Sequence, residues 1–241
     1  RKGVDYRPEV HDSDGLRVEE KGGLIKWRPL EVSDATRLSY LQLDDPAGFG
    51  LMQRDRLFAS YEDLEAEYHK RPSLWIIPKG DWGKGHVKLV ELPTVSEFED
   101  NVISFWEPSV LPSKGDVLDY EYTMLWTLSS NPAQDNTGPI VRSTRVGYAQ
   151  SSGGDVLFVI DFESTGADGF DENRVPTVEA KVFSNGSLAH VNTQWNSYSE
   201  TWRVTLRVHV GVEPKGPVEL ACYLDFSEGE RSETWTYQWT R

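Results

Sequence analysis

The sequence predicts an all-β protein built from two successive sandwich domains. Three observations carry this prediction. The second half contains a series of short segments that alternate β-branched or aromatic residues with polar ones. Glycine-, asparagine- and proline-rich turns separate those segments. Only one stretch of the whole chain has convincing helical spacing. Alternation with a period of two marks half-buried strands, and closely spaced turn signals mark sandwiches rather than βαβ units.

In residues 1–108 the text is irregular, rich in glycine, proline and charge. Strands are expected at Leu38–Leu43, Leu74–Ile77, Val87–Leu92 and Val102–Trp106. A helix is expected from Ser60, with Asp63 at the reciprocal capping position and Tyr61, Leu64 and Tyr68 recurring on one face. EPSVLPSKGD, residues 107–116, reads as a linker. Beyond it, VLDYEYTMLWTL, DVLFVIDFE, VEAKVF, TWRVTLRVHV, VELACYLDF and ETWTYQW read as strands. Ser-Gly-Gly, Asn185-Gly186 and Pro214-Lys215-Gly216 separate some of them. Seven or eight short strands in about 130 residues suggest an immunoglobulin-like sandwich over 109–241. The first half, 1–108, has too few strands to bury both faces of a sandwich, so the chain is expected to be the C-terminal part of a longer protein.

Composition narrows the partners. The formal charge is −14, from 39 acidic and 25 basic side chains. Affinity for nucleic acid comes from basic side chains releasing counterions, so nucleic acid and anionic membrane are poor partners. No apolar run approaches the ~20 residues of a membrane helix, and the first residues, RKGVDYRPEV, lack the apolar core of a signal peptide. A neutral sugar carries no electrostatic penalty, and nine tryptophans supply platforms for sugar rings or for a β core. The one cysteine, Cys222, lies in an apolar run and reads as a buried thiol.

Four segments of the first half carry chemistry. Arg7, Glu9, His11, Asp12 and Asp14 crowd one turn. Its Asp-x-Asp-Gly resembles part of a calcium loop, but Gly23 stands where the twelfth-position glutamate belongs, so no metal is expected. The pair Asp12 and Asp14 either caps backbone N–H groups or holds a proton and orients water, tuned by His11 and Arg7. Arg54, Asp55 and Arg56 follow a Gly-x-Gly and suit either a loop-fixing ion network or the reading of sugar hydroxyls. Trp82 stands between glycines, either folded into the core or presented to a ligand. Glu97, Glu99 and Asp100 place three carboxylates in four positions, where repulsion or burial raises a pKa toward that of a general acid; a solvated acidic loop is the competing reading.

Taken together, YRPEVHDSDGL (6–16), WRPL (27–30), DPAGFGLMQRDR (45–56), YEDLEAEY (61–68), RPSLW (71–75), PKGDWGKG (78–85), VELP (90–93) and SETWTYQ (232–238) resemble the periplasmic osmoregulated glucan biosynthesis proteins, the MdoG/OpgG and OpgD family. The resemblance implies the back part of a large mutarotase-like sandwich followed by an immunoglobulin-like one. It implies a periplasmic protein acting on a β-1,2-glucan backbone, without a cofactor. The activity implied is inverting endo-β-1,2-glucanase; the alternative is a non-catalytic glucan-binding or scaffold protein of the biosynthetic machinery. On that resemblance Asp100 is the acid, with Glu97 and Asn101 matching the same segment. Asp12 is the base-side carboxylate, with Asp14 as second choice, and protons pass through a substrate hydroxyl and ordered water. Phe98 and Glu99 depart from the Thr-Asn of relatives. The loop at 129–147 is expected to leave the second domain and cover the cleft in its own or a neighbouring subunit, which leaves room for a homodimer.

Overall fold

In a computed structural model the chain is described over residues 5–94, 96, 99–132, 138–149, 154–166, 169–211 and 216–241. It divides into two compact units, residues 1–133 and 134–241. Glu97, Phe98 and residues 133–137 lie outside the described residues.

The first unit holds two antiparallel sheets. One runs β2 (Ile25–Pro29), β1 (Gly15–Glu20), β4 (Pro46–Met52), β5 (Ser73–Lys79) and β8 (Glu121–Thr127). The other runs β3 (Arg37–Leu43), β6 (Gly85–Glu91) and β7 (Val102–Pro108). The two pack as a sandwich. Leu16 and Val18 of β1 and Phe49 of β4 meet Leu41 and Leu43 of β3 and Val87 and Leu89 of β6 in one core cluster. Strand β3 alternates buried and exposed residues without exception, as a strand with one wet face must.

Three strands of this unit, β1, β2 and β4, are absent from the sequence-based expectation. Strand β4 hides because it carries two glycines, which weaken strand preference. Packing explains both. A Cβ on Gly48 would stand 2.3 Å from the Trp75 ring, and one on Gly50 would stand 2.0 Å from the Leu74 carbonyl oxygen. Trp75 faces Gly50 across the β4–β5 ladder, and Arg17 faces Gly50 across β1–β4. With no side chain between them, the fully buried Arg17 guanidinium reaches to 5.6 Å from the centre of the Trp75 ring.

The expected helix from Ser60 is corrected. Only Phe58–Tyr61 is α-helical (α1), its N-cap is Leu57, and a separate 3-10 turn covers Tyr68–Lys70. Glu62 and Glu67 adopt positive φ of 51° and 45°, which end any continuous helix. Asp63 does not close a capping box. Its Oδ1 accepts the N–H of Glu65 and of Ala66 at 2.9 and 2.8 Å, an Asx turn in place of a helical one. The segment VLDYEYTMLWTL, expected in the second domain, contains β8, which pairs with β5 and belongs to the first unit.

The second unit has seven strands among its described residues. One sheet runs β12 (Ser187–Asn196), β13 (Thr201–His209), β10 (Asp155–Glu163) and β9 (Ile140–Tyr148). Also in this unit, β11 (Thr177–Val182), β14 (Val218–Asp225) and β15 (Thr234–Trp239) pair in that order. Phe158, Ile160, Val204, Leu206, Leu220, Leu224 and Trp235 are buried between them, as alternating inward positions require. Cys222 is fully buried, and burial pushes its thiol pKa up. The second half of the expected 129–147 loop is strand: β9 begins at Ile140.

Candidate functional site

The site grows from one end of the β1–β4 ladder. Because β1 and β4 are antiparallel neighbours, the start of β1 and the end of β4 meet. The Asp14 N–H donates to the Met52 carbonyl at 2.8 Å, and the Asp14 carbonyl accepts from Leu30 N–H at 2.9 Å. Segment 5–14, which leads into β1, therefore lies against segment 53–56, which leaves β4.

Gln53 joins these segments to a third. Its side chain is fully buried. The two N–H groups of its Nε2 are shared among three acceptors, the His11 carbonyl at 3.2 Å, the Tyr61 hydroxyl at 2.8 Å and the Tyr68 carbonyl at 3.3 Å. Its own N–H donates to Ser73 Oγ at 3.0 Å. Buried amides demand partners, and here one amide takes them from three stretches of chain. Arg56 adds to the same closure, donating to the carbonyls of His69 and Arg71.

Asp14 is largely buried, with its side chain 20% exposed. Its Oδ2 accepts the backbone N–H groups of Arg54 and of Asp55, the latter at 2.7 Å. Its Oδ1 faces His11 Nδ1 at 3.7 Å. Burial raises the Asp14 pKa, only partly offset by His11 and the two N–H donors. His11 Nε2 lies 2.9 Å from Glu9 Oε2, and the ring meets Tyr61 edge-on at 5.3 Å. Burial alone would pull the imidazole pKa down, but Glu9, Asp14 and Gln53 outweigh it and the net shift is upward. Glu9 is lowered by its hydrogen bond with His11.

Asp12 differs from its neighbour two residues on. Its side chain is 62% exposed, and Arg71 Nη1 holds its Oδ2 at 3.0 Å. Arg71 itself lies over the Tyr68 ring at 4.5 Å. Arg7 anchors the segment further back, donating to Asp63 at 2.7 Å and to Asp5 at 3.1 Å. Arg54 places its guanidinium carbon over the Trp27 ring, 3.6 Å from the centroid, a cation–π contact. Asp55 Oδ1 accepts Leu57 N–H, while its carbonyl accepts from the Tyr61 hydroxyl.

Arg7, Glu9, His11, Asp12, Asp14, Arg54, Asp55 and Arg56 are thus one neighbourhood. Asp100 lies elsewhere in the unit, exposed in the β6–β7 connection, one residue before Asn101, whose carbonyl accepts Leu92 N–H at 2.7 Å. Glu99 beside it accepts from Thr94 Oγ1 at 2.7 Å. Trp82 is half-buried against the core cluster, its ring edge-on to Tyr120 at 4.9 Å and 6.0 Å from Trp106. Among the described residues no group of three or more His, Cys, Asp or Glu is placed to hold a metal ion.

Sequence reasoning missed Gln53, Tyr61, Asp63 and Arg71 as parts of the site. Gln53 alone left a readable signal, a lone amide directly after an apolar strand end. Tyr61 and Asp63 fall within the expected helix, whose local pattern points to capping and packing roles.

A sequence profile of the periplasmic glucan biosynthesis protein MdoG matches residues 1–239. Relatives carrying the description glucans biosynthesis protein G include that of Pseudomonas paraeruginosa strain PA7, 37% identical over 243 residues (97% of this chain, 46% of the relative). That of Serratia proteamaculans is 37% identical over 246 residues (98% and 46%). That of Pseudomonas putida W619 is 39% identical over 217 residues (87% and 38%). The chain spans about half the length of the relatives it matches. It belongs to the MdoG family of periplasmic glucan biosynthesis proteins.

Proposed function

We propose that the protein acts in the periplasm on a β-1,2-glucan backbone as an inverting endo-β-1,2-glucanase. Asp100 is the acid, Asp12 the base-side carboxylate and Asp14 the group that fixes the turn carrying it. The observation that carries this division is the contrast between Asp12 and Asp14. One oxygen of Asp14 is committed to two backbone N–H groups, while Asp12 keeps an open carboxylate steadied by a single guanidinium. A carboxylate that activates water must be oriented and open to substrate, and the Arg71 contact and the exposure of Asp12 support both. The exposure of Asp100, in a connection that pairing at Asn101 pins, suits a group that meets a leaving oxygen from solvent. Arg54 over Trp27 and the Arg7–Asp63 pair supply planar donors and acceptors of the kind that read sugar hydroxyls.

The test is incubation with linear β-1,2-glucan and measurement of new reducing ends. Turnover that falls at least a hundredfold in Asp100→Asn and in Asp12→Asn is expected, since each removes an acid–base group. Absence of product from the wild-type chain, or unchanged product from Asp100→Asn, overturns the reading. The Phe98-Glu99 pair, where relatives have Thr-Asn, favours a second reading, a glucan-binding protein of the biosynthetic machinery. That reading expects glucan affinity that survives Asp100→Asn, with no turnover in either form.

A further inference from the structure

His11 has no role in the acid–base scheme above, yet its ring lies between two carboxylates of the site. Its Nε2 meets Glu9 at 2.9 Å and its Nδ1 faces Asp14 at 3.7 Å. Its ring edge rests on Tyr61, and its carbonyl is held by Gln53. The charged and titratable groups that act on it are Glu9 and Asp14 from its own segment, with Tyr61 of α1 against its ring; Arg54 and Asp55 act on Asp14, and Asp55 and Arg56 on Tyr61. Asp12 sits in the chain between His11 and Asp14.

A neutral imidazole carries one N–H and can donate on one side only; the imidazolium donates on both. Here both sides are acidic. With the ring charged, it hydrogen-bonds Glu9 at 2.9 Å and attracts Asp14 by charge across 3.7 Å, so it bridges the two carboxylates. Loss of the proton removes one donor and leaves Asp14, largely buried, without a nearby ring cation. We propose that His11 is a positioning residue whose charged ring bridges Glu9 to Asp14 and so sets the place of Asp12. This rests on the reading that Asp12 faces the glucan. The upward shift of His11 and the downward shift of Glu9 agree with a bridge that persists above the ordinary imidazole value.

The consequence is an alkaline limit. As pH rises through the folded-state value of His11, above its ordinary 6.5, the bridge opens and Asp12 loses its setting. The test pairs two measurements on the full chain. The first follows the His11 ring by NMR across pH, its signals identified by their loss in His11→Asn. A midpoint above 6.5 that moves down in both Glu9→Gln and Asp14→Asn is expected. A midpoint at or below the ordinary value, or one that neither substitution moves, overturns the bridge. The second follows reducing ends from linear β-1,2-glucan across pH. The alkaline limb of the rate should track the NMR midpoint and shift to lower pH in Glu9→Gln. A limb that stays put while the NMR midpoint moves overturns the positioning role and leaves the hydrolytic reading standing. If the wild type turns over no glucan at any pH, hydrolysis fails, and calorimetric binding of the same glucan replaces the rate. Affinity that declines across the His11 titration then supports the role, and affinity flat across it overturns it. Glu9→Gln changes a half-exposed side chain, so it remains informative even where His11→Asn fails to fold.

Discussion

Asp14 in the first unit and Asp161 in the second are both buried carboxylates, and their surroundings push them in opposite directions. Asp161 stands on β10 at the meeting point of two permanent cations. Arg203 grips it through Nε at 2.7 Å and Nη2 at 2.9 Å, Arg145 donates at 3.0 Å from β9, and Ser143 at 3.2 Å. Burial would raise its pKa, but the guanidinium contacts outweigh it and the carboxyl is held below its ordinary value. Asp14 has backbone N–H groups and one imidazole in place of guanidinium forks, and burial wins. A sheet face can bring long cationic side chains from neighbouring strands onto one acid at fixed register. A turn offers mainly its own backbone. The first arrangement favours the ionised acid, and the second leaves it adjustable.

The largest expected effect comes from removing the amide that organises the adjustable site. Gln53→Leu keeps the volume but strips the donor from two buried carbonyls and a phenol, at about 3 kcal/mol, since each unsatisfied buried group costs about 1–3 kcal/mol. A denaturant midpoint within error of wild type would show that the three segments hold together without it. Asp161→Asn is expected to cost less, about 1–2 kcal/mol, because Arg145 and Arg203 are partly exposed and can turn to water.

The same comparison predicts opposite pH trends. The folded pKa of Asp161 is depressed, so its contribution is present above the unfolded value and lost as pH falls below about 4 through the folded one. His11 and Asp14 are both raised. The His11 contribution is complete below 6.5 and lost as pH climbs through its folded value, while ionising the buried Asp14 costs stability as pH rises from 3.8. Melting curves across pH should therefore show Asp161→Asn flattening the acid arm and His11→Asn flattening the alkaline arm; exchanged arms would break the contrast. The smallest effect is expected for Arg71→Gln. Its ion pair with Asp12 is about half exposed at both partners, so stability should change by less than about 1 kcal/mol while glucan turnover falls.

The strands with clean alternation were legible: β3, β5, β6 and β7 fall within two residues of where the residue pattern places them. Strand β4 was not, because Gly48 and Gly50 answer to the Trp75 ring and the Leu74 carbonyl, partners about 25 residues away that periodicity cannot register. The helix expected at Ser60 does not form because Asp63, a sound capping residue in local terms, serves an Asx turn and the distant Arg7. The charged members of the site were readable as clusters in the text, and the antiparallel meeting of β1 and β4 gathers two of those clusters into one. Gln53 shows locally only as a lone amide after an apolar strand end, because its acceptors, in segment 5–14, α1 and the 3-10 turn, are brought to it by the fold.

That amide also acts as a ruler. It must reach His11 42 residues upstream, Tyr61 eight downstream and Tyr68 fifteen downstream. The connections between these points therefore have fixed lengths, although they lie in irregular chain of the sort that usually tolerates insertion. One residue added between 54 and 60, or between 62 and 67, would carry an acceptor beyond its grasp. In this part of the molecule spacing is more constrained than residue identity, and length variation should gather at other loops.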